Sequence, residues 1–199
     1  MSTLQNYGPG RTALAIVGAA VLGLGVAGSG ALAAEGELVI AAPAEPSTFV
    51  PRAGCSRANN LITDNVYERL TQRDADGNVV GWLAESYEQV DDLTWRFKLK
   101  EGINFTNGEA LNADAIVTVV NYFLDPDQAS RCRGDFSTVT SAEKVDEYTV
   151  DIKTEALDPT IPSRLLKMYV VAPEWLTSTS DEEAAETLVG TGPYTLESW

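Results

Sequence analysis

Residues 74–123 read DADGNVVGWLAESYEQVDDLTWRFKLKEGINFTNGEALNADAIVTVVNYF, and the order of turn signals and patterned runs along them decides the fold. Asp76-Gly77 offers the positive φ that a tight hairpin turn needs. Asp91-Asp92 forms a second polar turn, after which Thr94–Lys100 alternates. Trp95, Phe97 and Leu99 fall on one face and Arg96, Lys98 and Lys100 on the other, the pattern of a half-buried strand. Glu101-Gly102 and Asn107-Gly108 punctuate the chain beyond that strand. Asn112 stands where a helix N-cap belongs, with Asp114 favourably placed in the first turn against the helix dipole. Ala113, Ile116, Val117, Val120, Phe123 and Leu124 then recur at helical spacing, and Asp125-Pro126 ends the helix.

Outward from this stretch the same grammar continues. Ala58, Leu61, Ile62, Val66 and Leu70 predict a helix over 56–70, and Glu37–Ala42 predicts a short strand before it. Gln128–Phe136 reads as a polar irregular loop. Val139–Val145 and Tyr148–Lys153 predict a hairpin about Asp146-Glu147, with Tyr148, Val150 and Ile152 alternating against Thr149, Asp151 and Lys153. Ser180-x-x-Glu183 has the form of a capping box and predicts a brief helix. Gly190-Thr191-Gly192 permits a sharp backbone path, and Pro193 leads into a strand predicted over Tyr194–Trp199.

The runs DGNVVGWLAESYE, DDLTWRFKLKEGINFTNGEALNADAIV and, at 190–199, GTGPYTLESW resemble the signature regions of the dipeptide-, oligopeptide- and nickel-binding proteins of bacterial ABC importers. The resemblance extends from about Leu38 to Trp199. It implies an α/β fold: the first lobe of a type II periplasmic-binding-protein-like structure, carrying an inserted α+β subdomain, with the second lobe missing. The expected divisions are a signal peptide over 1–33, the start of the first lobe over 34–73, the inserted subdomain over 74–188 and a truncated return strand over 189–199. The resemblance also implies a solute-binding component with no cofactor and no catalytic residues. Its partners would be a peptide or other small solute and the permease subunits, and it would meet the membrane only through the permease.

Composition sets outer bounds. The 199 residues carry 14 Lys+Arg against 29 Asp+Glu, a formal charge of -15, with no histidine and 44% hydrophobic residues. So acidic a chain lacks the clustered Lys and Arg that nucleic-acid phosphates require. Without histidine, neither a Ser–His–Asp nor a Cys–His nucleophile system is available, nor are the common His-bearing zinc sites. The adjacent acids Asp91-Asp92 sit in a turn, where they do not converge on one bond as glycosidase carboxylates do. The Asp74–Asn78 run faintly resembles a calcium loop, but its glycine comes too early for an EF-hand. Gly190–Tyr194 lacks both the Lys-Ser/Thr of a P-loop and the third glycine of a dinucleotide fingerprint.

Met1–Ala33 reads as a cleavable secretory leader, with Arg11 in its n-region, an apolar core over Ala13–Val26 and Ala31-Leu32-Ala33 at the cleavage site. That places the mature protein in the periplasm or another extracytoplasmic space; an uncleaved anchor is the competing reading. The two cysteines, Cys55 and Cys132, predict a disulfide in that compartment, with two separately buried thiols as the alternative.

The loop after the first strand faces the ligand in the resembling family. This implicates Ser47, Thr48, Phe49, Gly54, Ser56 and Arg57; a connecting loop with Phe49 as a core plug is the structural alternative. Arg52, Arg57, Arg131 and Arg133 all flank the cysteines. Guanidinium groups hold carboxylates through paired, charge-assisted hydrogen bonds. Arg57, Arg131 and Arg133 are therefore candidate ligand residues, against a plainer role pairing with local acids or facing solvent. The expected function is capture of peptides for import. A nickel chelate, a sugar or an opine-like compound is the alternative ligand class, and a truncated fragment that binds no solute is the alternative of a different kind.

Overall fold

The computed structural model describes residues 48–51, 57–128 and 130–198, all within one compact unit, Ile40–Trp199. The leader Met1–Ala33, the strand expected at Glu37–Ala42, and Ser47, Gly54, Cys55 and Ser56 lie outside the described residues.

The turns expected in 74–123 all form. β1 (Thr71–Arg73) and β2 (Val79–Gly81) pair antiparallel about Gly77, whose φ is 87°. The Asp74 carboxylate accepts hydrogen bonds from the amides of Asp76 at 3.0 Å and Asn78 at 2.8 Å. The Asn78 side chain first, and then these amides, lower its pKa from the ordinary carboxylate value. The calcium-like spacing is thus a self-satisfied Asx turn. β3 (Ala84–Asp91) and β4 (Thr94–Leu99) form the next hairpin, closed by Leu93 N–H donating to Asp91 at 2.8 Å. Gly102 and Gly108 take φ of 75° and 92°, and Gly108 lets Asn104 bridge back to Ala110.

β5 (Val139–Asp146) and β6 (Thr149–Thr154) complete a four-stranded antiparallel sheet in the order β3-β4-β6-β5. Phe97, Leu99, Val150 and Ile152 bury its inner face. α2 (Ala113–Leu124) packs on β5 and β6. Asn112 caps it by accepting from Ala115 N–H at 3.0 Å, and Asp125 ends it. Ala113, Ile116, Val120 and Phe123 are buried as the spacing predicts, joined by Ala115 and Val119; Val117 and Leu124 stay half-buried at the edge of the contact.

Two expectations fail at the ends of the chain's other elements. α1 covers Arg57–Val66 and stops short of Leu70. Although the apolar spacing runs on, Glu68 leaves the helix to bridge Val170, and Leu70 O accepts from the amides of Trp82 and Ala84. Tertiary pairing overrides helical periodicity there. No strand forms over 194–198; among the described residues only Tyr194 N–H of this segment finds a backbone acceptor, Asn65 O at 3.2 Å, and no described strand pairs with it.

The glycines before that segment explain the motif. A Cβ at Gly190 would sit 2.1 Å from Val66 O, and one at Gly192 would sit 2.7 Å from the carbonyl oxygens of both Asn65 and Val66. Gly192 N–H donates to Val66 O at 2.9 Å, while Gly190 O accepts from Thr106 N–H at 2.9 Å. The glycines serve close backbone approach rather than a positive φ, and the amides of Gly192 and Tyr194 satisfy the Val66 and Asn65 carbonyls that the end of α1 leaves open. The chain between is completed by α3 (Ile161–Arg164), α4 (Pro173–Ser178) and α5 (Asp181–Glu186). Ser180 caps α5 by accepting from Glu183 N–H at 3.2 Å, the capping-box bond its spacing predicts.

Candidate ligand-binding site

The loop candidates and the arginine candidates meet through Pro51 and Cys132. Phe49 is 1% exposed in the hydrophobic core, with Val50 beside it, so its ring packs inward. Thr48 is half-buried, and its hydroxyl accepts from Val50 N–H at 3.1 Å. The Cys132 sulfur lies 3.9 Å from Pro51 O and is disulfide-bonded; Cys55, the other cysteine of the sequence, lies outside the described residues. Arg57 is the first residue of α1.

Arg131 and Arg133 flank Cys132 and are exposed. Neither guanidinium has a hydrogen-bond or ion-pair partner among the described residues. They share the lack of a carboxylate partner with Arg73, which bonds Gly77 O, and Lys100, which stands over the Trp82 ring, but differ from the cations that have one. Arg69 pairs with Asp64, Arg96 with Asp151, Arg164 with Asp158, and Lys98, Lys144, Lys153 and Lys167 each face a carboxylate. The two arginines sit on a short, well-anchored segment. A 3₁₀ turn covers Arg133–Phe136, with Arg133 N–H donating to Ser130 O and Asp135 N–H to Cys132 O. Phe136 is buried. The Asp135 carbonyl accepts from Arg164 at 2.8 Å, and its carboxylate pairs with Lys167 at 2.6 Å.

Arg164 is held in turn by Asp158, at 2.9 Å. Burial pushes the Asp158 carboxyl up, but the hydroxyls of Thr138 and Thr160, the Thr160 amide and Arg164 outweigh it and bring it down to about 2. A fixed anion therefore stands behind the segment and orients the arginine that braces it. Beside Arg133 opens a cavity of about 580 Å³, floored by Phe136 and Val139 and edged by Ser137, Thr140 and Glu155. The cavity offers one cation, Arg133, an apolar floor, hydroxyl donors and one acid, Glu155, while Arg131 lies outside its lining. Such a surface holds a carboxylate by charge and the rest of a small polar molecule by shape.

A second polar cluster carries no sequence signal at all. The Tyr169 hydroxyl donates to Asp64 and lies 2.8 Å from both Thr63 Oγ1 and Arg69 Nη2. The Arg69 guanidinium stands 4.3 Å from the centre of the Tyr169 ring. Burial, then the Asp64 carboxylate, pushes the Tyr169 hydroxyl well above its ordinary range. Tyr67, 5.5 Å away ring to ring, is fully buried and shifted upward by the same cause. The Tyr169 hydroxyl ties Thr63 and Asp64 of α1 to Arg69, while the buried Tyr67 hydroxyl and Arg69 Nε have no hydrogen-bond partner among the described residues. Among the described residues no group of three or more Cys, Asp or Glu side chains is placed to hold a metal ion, and no helix is long and apolar enough to cross a membrane.

The family model described as bacterial extracellular solute-binding proteins, family 5 middle, matches residues 78–199. The oligopeptide-binding protein AppA of Bacillus subtilis is 26% identical over 172 residues, which cover 82% of this chain and 32% of AppA. A solved structure of AppA with a nonapeptide superposes with a TM-score of 0.70 at 27% identity, over 78% of this chain and 32% of that one. The glutathione-binding protein GsiB of Salmonella typhi is 29% identical over 185 residues, 90% of this chain and 36% of GsiB. NikA from Brucella suis, solved with Fe(III)-EDTA, gives a TM-score of 0.64 at 27% identity, over 79% of this chain and 32% of that one. The chain thus spans about a third of the length of these relatives.

Proposed function

Because the chain belongs to the bacterial extracellular solute-binding proteins of family 5, we propose that it captures peptides for an ABC importer and serves a membrane permease as its receiving partner. The family is extracytoplasmic; export by cleavage after Ala33 is part of the same proposal. The observation that carries the ligand class is the pair Arg131 and Arg133, left without a carboxylate partner among the described residues of a chain with a formal charge of -15. A nonapeptide, glutathione and EDTA, the molecules associated with AppA, GsiB and NikA, all carry carboxylates. Two guanidiniums on one anchored turn suit that shared group. Arg57 and the loop residues Ser47, Thr48, Gly54 and Ser56 supply the remaining contacts in this reading, and a Cys55–Cys132 bond ties the loop to the arginine segment.

Native mass spectrometry and calorimetry test it with a tripeptide and its C-terminally amidated form. The free acid is expected to bind at least about tenfold more tightly. An Arg131→Ala/Arg133→Ala variant is expected to lose that preference. Equal affinity for the two peptides, or an unchanged preference in the variant, removes the arginines from the site. Non-reducing peptide mapping reports whether Cys132 is joined to Cys55. In a second reading the chain binds no solute by itself. Absence of binding to peptide, nickel chelate, sugar and opine alike supports that reading instead.

A further inference from the structure

Resting on the reading of peptide capture above, we infer that the cavity beside Arg133 selects peptides ending in a basic residue, and that Glu155 makes the selection. The terminal carboxylate lies on Arg133, and the side-chain cation of the last residue lies on Glu155.

Two opposite charges are left apart in this cavity. Arg133 and Glu155 are both exposed and both line it. They form no ion pair with each other, and neither side chain has a hydrogen-bond or ion-pair partner among the described residues. Elsewhere Lys98 closes on Glu85, Lys144 on Asp114 and Lys167 on Asp135. A guanidinium and a carboxylate that share one cavity unpaired attract a molecule carrying the inverse pair.

The surface that separates them is apolar. Arg133 opens the 3₁₀ turn that ends at Phe136. Val139, at the start of β5, pairs with Thr154 of β6, and Glu155 follows directly, its N–H donating to Thr138 O at 2.9 Å. The backbone thus sets the cation at the turn and the acid at the strand end, with Phe136 in the run that leads from one to the other. Phe136, Val139 and Leu124, the last residue of α2, supply the apolar lining. A stem of methylenes crosses such a floor without stranding a polar group, as lysine stems do along apolar surface. A peptide amine would reach Glu155 only by laying a peptide unit, with its N–H and C=O, against the same side chains.

The rim completes the fit. Ser137 and Thr140 line the cavity and are exposed, and their hydroxyls make no hydrogen bond among the described residues. They suit the peptide unit that precedes the terminal residue. A volume of about 580 Å³ lies in the range of pockets that enclose drug-sized molecules, which admits the end of a short peptide.

Calorimetry on the full chain tests this with Ala-Ala-Lys, its C-terminal amide and Ala-Ala-norleucine, which keeps the four-carbon stem and lacks the ammonium. The lysine peptide is expected to bind at least about tenfold more tightly than the norleucine peptide. Glu155→Gln is expected to bring those two to equal affinity, and Glu155→Lys to turn the preference toward Ala-Ala-Glu. Glu155 is exposed, so neither substitution threatens the fold. Equal binding of the lysine and norleucine peptides, with the amide still bound more weakly, overturns the role of Glu155 and leaves the carboxylate reading standing. A lysine preference that survives Glu155→Gln overturns it as well. Failure of every peptide to bind overturns both readings together.

Discussion

Arg96 on β4 and Asp151 on β6 face each other across the sheet and close a two-point contact, Nε to Oδ1 at 2.7 Å and Nη2 to Oδ2 at 2.9 Å. Lys153 lies 3.8 Å from the same carboxylate. Alternation places Asp151 on the polar side of β6, yet it is only 6% exposed, because the flanking basic side chains cover it. Arg96→Met should therefore strand a covered carboxylate and cost about 2 kcal/mol, less than a fully buried pair because Arg96 itself is partly solvated. Asp151→Asn should cost a similar amount, and the double variant less than their sum by about 1 kcal/mol. Urea unfolding of the four proteins measures both quantities.

Gly190 and Gly134 provide a controlled pair. A methyl at Gly190 collides with the Val66 carbonyl, whereas one at Gly134 meets nothing within 4 Å. Gly190→Ala should destabilise by about 3 kcal/mol, since the obstacle is backbone. Gly134→Ala should be neutral or stabilise by up to about 1 kcal/mol through the unfolded chain. Thermal unfolding distinguishes them, and comparable losses in both would refute the close-approach account.

Asp158 sets an acid limit. Its folded value, about 2, lies below the ordinary 3.8, so over that interval the unfolded chain binds more protons than the folded one. Its stabilisation is fully present above about pH 4 and is lost as pH falls through about 2. Asp158→Asn should flatten the acid side of the stability curve between those values while lowering stability at neutral pH. Denaturant midpoints taken from about pH 2 to about pH 6 check this. The exposed turn carboxylates Asp74, Asp91 and Asp146, lowered by the amides and side chains of their own turns, act in the same direction and remain in the variant.

Tyr169→Phe removes the hydroxyl that joins Asp64, Thr63 and Arg69. The loss should be about 1–3 kcal/mol, the cost of leaving such partners unsatisfied. Amides of α1 should exchange faster in the variant, while those of α2, which rests on the sheet, should not change.

How much the sequence announces depends on the range of the forces involved. The turns at Asp74, Asp91 and Asn107, the Asn112 cap and the Ser180 cap all depend on residues within a few positions of one another, and their sequences declare them. The end of α1 is not declared, because Val170 and Trp82, far along the chain, draw Glu68 and Leu70 out of the helix. Alternation predicts a strand at Tyr194–Trp199, but it describes the side chains and not whether a neighbour exists to pair with. The burial of Asp151 and the whole Tyr169 cluster are silent for the same reason. At the candidate site, the arginines and the cysteine are conspicuous by type. That Arg131 and Arg133 lack the carboxylates given to the other ion-paired cations is visible only in three dimensions.

The contacts that fasten α1 join residues 100 to 106 positions apart, whereas the hairpin turns close over two to four. That difference sets an order of assembly. Hairpins can organise as soon as they are made, but α1 must wait for Tyr169, and its last carbonyls must wait for Gly192, before they have partners. During synthesis α1, the first helix among the described residues, is therefore among the last parts to settle. A helper that keeps the chain from folding early would find its natural handle there.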